Sequence, residues 1–129
     1  MGKIKMDSDK NVIGTPLETC SLSPVTGFQR DGNCRTPEQD LGVHGVCSEL
    51  TDEFLNFTRA RGNDLSTPNP VYGFPGLKAG DRWCLCASRW REALDHGAAP
   101  PVVLSATSET VLDHVSLDDL LRHAADTSH

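Results

Sequence analysis

Residues Lys78–Gly97, KAGDRWCLCASRWREALDHG, hold the passage from strand to helix that decides the fold. Lys78-Ala79-Gly80-Asp81 reads as a turn, and Trp83–Ala87 after it has the apolar and aromatic content of a buried strand. Ser88 is placed to cap a helix through His96, with Trp90, Ala93 and Leu94 turned inward. Gly97 ends that helix, and Pro100-Pro101 bars its continuation.

Upstream, Val43–Leu50 reads as a short strand. Thr51 then caps a helix with Asp52 and Glu53 in its first turn, Arg59 and Arg61 in its last and Gly62 beyond its end. Leu50, Phe54 and Phe57 share one face of it. Downstream, Val102–Leu104 suits a buried strand, and Thr107 or Ser108 starts a brief helix. Ser116 caps another, which carries Leu117, Leu120, Leu121 and Ala124 at helical spacing. Asn11–Asp40 is dense in turn formers and reads as loop. The stretch from Gly62 to Arg82 is also irregular. Its Leu65, Val71, Tyr72, Phe74 and Leu77 predict an ordered loop packed back on the domain, with Phe74 at least partly buried.

The pattern predicts an α+β fold: one small, loop-rich domain over residues 11–126, with short strands in a small sheet and helices on one face. Residues 1–10 are expected to be a flexible tail and 127–129 a frayed end. A chain of 129 residues has room for one core and none for a second domain.

Twelve Lys and Arg against eighteen Asp and Glu give a net charge of −6, which disfavours nucleic acid as a partner. No apolar run approaches the roughly 20 residues needed to cross a bilayer. The opening MGKIKMDSDK also lacks the apolar centre of a signal peptide. The expectation is a cytoplasmic protein, monomer or homodimer, with a small molecule or a protein as partner and no contact with nucleic acid or membrane. Five cysteines, an odd number, then predict reduced thiols in place of a disulfide framework.

Those thiols are the main chemical candidates. Cys84-Leu85-Cys86 places two sulfurs on one side of a strand, but the spacing is tighter than the usual Cys-x(2–4)-Cys of zinc sites. A metal such as zinc would draw on Cys84 and Cys86 with two more ligands from Cys20, Cys34, His44 or Cys47; a thiol nucleophile would be Cys84 or Cys86. In a strand, His44 and Cys47 face opposite sides and could meet only at a bulge; the simpler reading of His44 is an ordinary sheet-face histidine, and the alternative is a contact with a cysteine from another element. Asn63, Asp64, Ser66 and Thr67 concentrate polar groups at a helix end. They are ligand candidates whose simpler role is local turn bonding. The Gly73–Lys78 stretch lacks the ending of a phosphate loop.

Asn11–Cys20 (NVIGTPLETC), Thr26–Gly32 (TGFQRDG), His44–Phe57, Arg61–Pro68 (RGNDLSTP) and above all Tyr72–Trp90 (YGFPGLKAGDRWCLCASRW) together resemble the bacterial family catalogued as domain of unknown function 2237. The collinear blocks span about residues 11–125. The resemblance implies a single α+β domain and no assigned activity. The chain has Asn33-Cys34 where that family usually carries a Cys-Cys pair, and Thr36-Pro37 where it tends to have Thr-Gly.

Two readings follow. The first is a small, non-catalytic binding module whose clustered cysteines hold a metal or small ligand or fill the core. The alternative is a thiol-dependent enzyme or redox protein using Cys84 or Cys86 as thiolate. In either case a site is expected where the Cys84–Cys86 strand meets the Cys34–Cys47 segment and the Asn63–Thr67 loop.

Overall fold

The computed structural model describes residues 9–125. Most of the expected tail and the frayed end lie outside the described residues. Asp9 and Lys10, at the inner end of that tail, are held in place. Lys10 bridges to Pro16, and Asp9 pairs with Arg35 at 3.1 Å.

The fold is a small α+β domain. Strand β1 (Val46–Glu49) leads into helix α1 (Asp52–Ala60). After a long loop, strand β2 (Arg82–Leu85) leads into helix α2 (Ala87–Asp95), and a short helix α3 (Leu117–Arg122) is the last element among the described residues. The strands pair antiparallel, with Val46 opposite Leu85, Cys47 opposite Cys84, Ser48 opposite Trp83 and Glu49 opposite Arg82. The two strand-to-helix units are thus joined through the sheet, and their helices are linked at the surface by an Arg61–Glu92 ion pair at 3.0 Å.

The helix signals hold where they are local. Thr51 caps α1 by accepting from the Phe54 amide, Ser116 caps α3 by accepting from the Asp119 amide, and Gly62 adopts a left-handed φ of 91°. Phe54 and Trp90 are fully buried at the centre of the core, and the Trp90 indole donates to the Pro100 carbonyl at 3.1 Å. Both strands are shorter than expected. Helix α2 begins two residues early, with Cys86 and not Ser88 at the N-cap. Val102 forms isolated bridges to Ser48 and Ala124 in place of a third strand, because the chain turns into a 3₁₀ helix at Leu104–Ala106. A second 3₁₀ turn, Glu109–Asp113, starts at Ser108. On α3 Leu120 is buried while Leu121 stays exposed.

Residues 11–40 contain no regular element, as their turn formers imply, and residues 41–45 are irregular too, although the sequence predicts a strand from Val43. They are organised by buried polar groups and by sulfur. The buried Asn11 side chain donates to Thr15, Pro16 and Ser105 and accepts from the Ile13 and Thr15 amides. Disulfides join Cys20 to Cys47 and Cys34 to Cys84. This corrects the expectation of reduced cysteines: an odd count leaves one thiol over but does not prevent four from pairing. Cys47 and Cys84 are cross-strand neighbours, so the two bonds lie side by side and staple the irregular segment to the sheet. Loops of 27 and 50 residues closed in this way contribute about 3–4 kcal/mol each by constraining the unfolded chain.

Candidate functional site

The one free thiol is Cys86. It is the N-cap residue between β2 and α2, at the positive dipole end of a nine-residue helix, and its side chain makes no cap hydrogen bond. Its Sγ stands 3.0 Å from Nε2 of His44. On the other side of the imidazole, Nδ1 stands 2.6 Å from Oδ1 of Asp40, whose Oδ2 accepts from the His44 backbone N–H at 2.7 Å. The Asp40 side chain is fully buried and that of His44 about one-third exposed. The result is a continuous line from carboxylate to imidazole to thiol.

Residues 40–45 owe their course to short-range ties. The Val43 amide donates to the Asp40 carbonyl, and the Val43 carbonyl accepts from the Ala87 amide at 3.0 Å, which fastens the loop to the start of α2. Val43 takes a left-handed φ of 51°, costly for a β-branched residue, and Arg30 across the site takes 56°. Gly42 passes so close that a Cβ there would lie 3.1 Å from both Cys86 Sγ and His44 Cε1. The backbone is therefore held under local strain to bring the histidine to the thiol.

The pKa of His44 is raised from 6.5 to about 9. The hydrogen bond to Cys86 is the largest cause. Burial opposes it, and the hydrogen bond to Asp40 and the charges of Cys86 and Asp40 add to it. The imidazole is accordingly protonated at neutral pH.

This line opens onto a cleft of about 620 Å³. Phe28, Leu65, Phe74 and Trp83 supply apolar wall, with Arg30 and Asn63 as polar groups. The Arg30 guanidinium lies 5.1 Å over the Trp83 ring, and Phe74 meets Trp83 edge-on at 5.6 Å. Such a cleft suits a small ligand with an apolar body.

The three segments expected to meet do so, but with a division of labour. Cys34 and Cys47 are in disulfides, as is Cys84, which lines the cleft without a free thiol. Cys84 is thereby corrected as a nucleophile candidate, and the metal candidates fall into two groups: Cys34, Cys47 and Cys84 in the disulfides, and His44 with Cys86 beside the cleft. Asn63 lines the cleft and donates to Thr58. Asp64 instead closes a local turn by accepting from the Ser66 amide and from the Thr67 amide and hydroxyl. Asp64, Ser66 and Thr67 thus take the turn role that their composition suggests. Sequence reasoning missed Asp40. The only local trace of it is its spacing of four from His44.

A family model described as an uncharacterized protein conserved in bacteria (DUF2237) matches residues 10–124. No curated protein matches the chain. Among the described residues no helix is long and apolar enough to cross a membrane.

Proposed function

The chain belongs to the DUF2237 family, which brings no assigned activity, and from the geometry of the site alone we propose a thiol-dependent enzyme of the acyl-transfer class. Cys86 is the nucleophile, His44 carries its proton, and Asp40 holds the imidazole in register. The observation that carries the reading is the unbroken Asp40–His44–Cys86 hydrogen-bonded line, at 2.6 and 3.0 Å, at the wall of a cleft. A base within reach of a thiol, and itself oriented by a third group, is what nucleophilic catalysis requires.

In this reading the Cys86 thiolate donates an electron pair to a carbonyl carbon, and the π pair moves to oxygen near the N-terminus of α2. Collapse expels the leaving group, which takes the proton from His44 Nε2. Water, deprotonated by the same nitrogen, then adds to the thioester, and Cys86 departs as thiolate. The aromatic wall favours an apolar acyl or aryl group. A non-catalytic binding module accounts for the cleft but gives the Asp40–His44–Cys86 line no use.

Incubation with p-nitrophenyl esters of increasing acyl length, followed by intact-mass and peptide analysis, tests the reading. It expects a burst of nitrophenol with one acyl group on Cys86, absent in Cys86→Ser. Acylation spread over surface lysines, with the same slow release in both proteins, would overturn it.

A further inference from the structure

We propose that Cys20, Cys34, Cys47 and Cys84, once reduced, form a closed tetrathiolate site that binds one zinc ion. The sulfurs of Cys20, Cys34 and Cys47 all lie within 4.8 Å of one another, and Cys84 is bonded to Cys34. Each of the four residues is at most 4 % exposed. Tetrahedral zinc with Zn–S near 2.3 Å needs sulfurs about 3.8 Å apart. Cys20, Cys34 and Cys47 thus supply three clustered ligands, and Cys84, bonded to Cys34 but outside that group of three, must turn towards them on reduction to complete the tetrahedron.

The backbone supports the same four positions from both sides. Cys47 and Cys84 face each other across the sheet, with their amides held by the Thr107 and Thr26 hydroxyls at 3.1 and 2.8 Å. Cys20 and Cys34 come from the irregular segment, where the Cys20 amide donates to the Gly32 carbonyl at 2.8 Å. A metal would therefore replace the two staples with one centre and keep the segment on the sheet. Four soft thiolates with no open position are a structural zinc set, distinct from the Cys86 site and independent of its reading.

The redox step balances with a dithiol reductant. Two equivalents deliver four electrons and four protons. The two disulfides become four thiols, and the reductant leaves as two disulfides. Zinc then displaces four protons from sulfur. Cys84 belongs to the cleft wall but is only 2 % exposed, so a reductant attacks its sulfur after local opening and releases Cys34. The Cys34 thiolate so released lies within 4.8 Å of both sulfurs of the Cys20–Cys47 bond.

The test is native mass spectrometry of the full chain, oxidised or reduced under inert gas, after addition of zinc, with cobalt as a spectroscopic probe. The reduced chain is expected to take up one metal and show the thiolate-to-cobalt bands of a tetrahedral site, while the oxidised chain takes up none. Cys86→Ser should keep the metal, and Cys20→Ser should bind it at least tenfold more weakly. A reduced chain that loses its fold and regains it with zinc supports the site. A reduced chain, folded or unfolded, that takes up no metal overturns it, as does metal lost in Cys86→Ser but kept in Cys20→Ser.

Discussion

Cys86 and His44, 42 residues apart in the chain, meet at 3.0 Å because the Val43 carbonyl bonds to the Ala87 amide just beyond the cysteine. The contact is thus a property of the loop's backbone as much as of the two side chains, and it has consequences for the behaviour of the whole domain.

The first concerns pH. In the folded chain His44 holds its proton up to about pH 9, against 6.5 for the free side chain. Its stabilising contribution is therefore complete below pH 6.5 and is lost as pH rises towards 9. Urea midpoints should fall across that window more steeply for the native chain than for His44→Gln. Parallel curves would show that the imidazole makes no such contribution.

Gly42→Ala places a methyl group 3.1 Å from both Cys86 Sγ and His44 Cε1. The thiol or the imidazole must then give by a few tenths of an ångström, roughly the precision their contact needs, and alkylation of Cys86 should slow on the order of tenfold. Because the strain is local, the thermal midpoint should move little. A large fall in midpoint with unchanged reactivity would place the tight packing elsewhere.

Removing a staple should show in stability. The double replacement Cys20→Ser with Cys47→Ser is expected to cost about 3.5 kcal/mol and Cys34→Ser with Cys84→Ser about 4 kcal/mol, following loops of 27 and 50 residues. Chemical denaturation under oxidising conditions measures both. Values near zero would mean that hydrogen bonds such as those of Asn11 and Thr26 hold the segment without the sulfur bonds.

Asp40→Asn keeps an acceptor for the His44 amide but removes the charge that faces Nδ1. Alkylation of Cys86 should fall at least about tenfold with the fold intact, as expected for a group that orients the base. Equal rates would assign Asp40 to loop structure only.

What was legible in the sequence was local. The Thr51 and Ser116 caps, the Asp64 turn and the burial of Trp90 each depend on residues within a turn or two, and each is where its spacing predicts. The disulfides and the site are not local. Cys20 and Cys34 reach the sheet along an irregular path that no periodicity encodes, so the odd count pointed the wrong way. Val43 is a strand-former by type, yet it is bent to a left-handed φ at the place where His44 must leave the strand. Asp40, at the end of a turn-rich stretch, looks like any loop carboxylate until the fold buries it beside the imidazole.

The central claim is that His44 activates Cys86, and the rate of Cys86 alkylation by iodoacetamide at pH 6.5 tests it most directly, followed by peptide mass in the native chain and in His44→Ala with both disulfides intact. The account predicts a rate in the native chain at least about tenfold above that of the variant. Equal rates in the two proteins would contradict it.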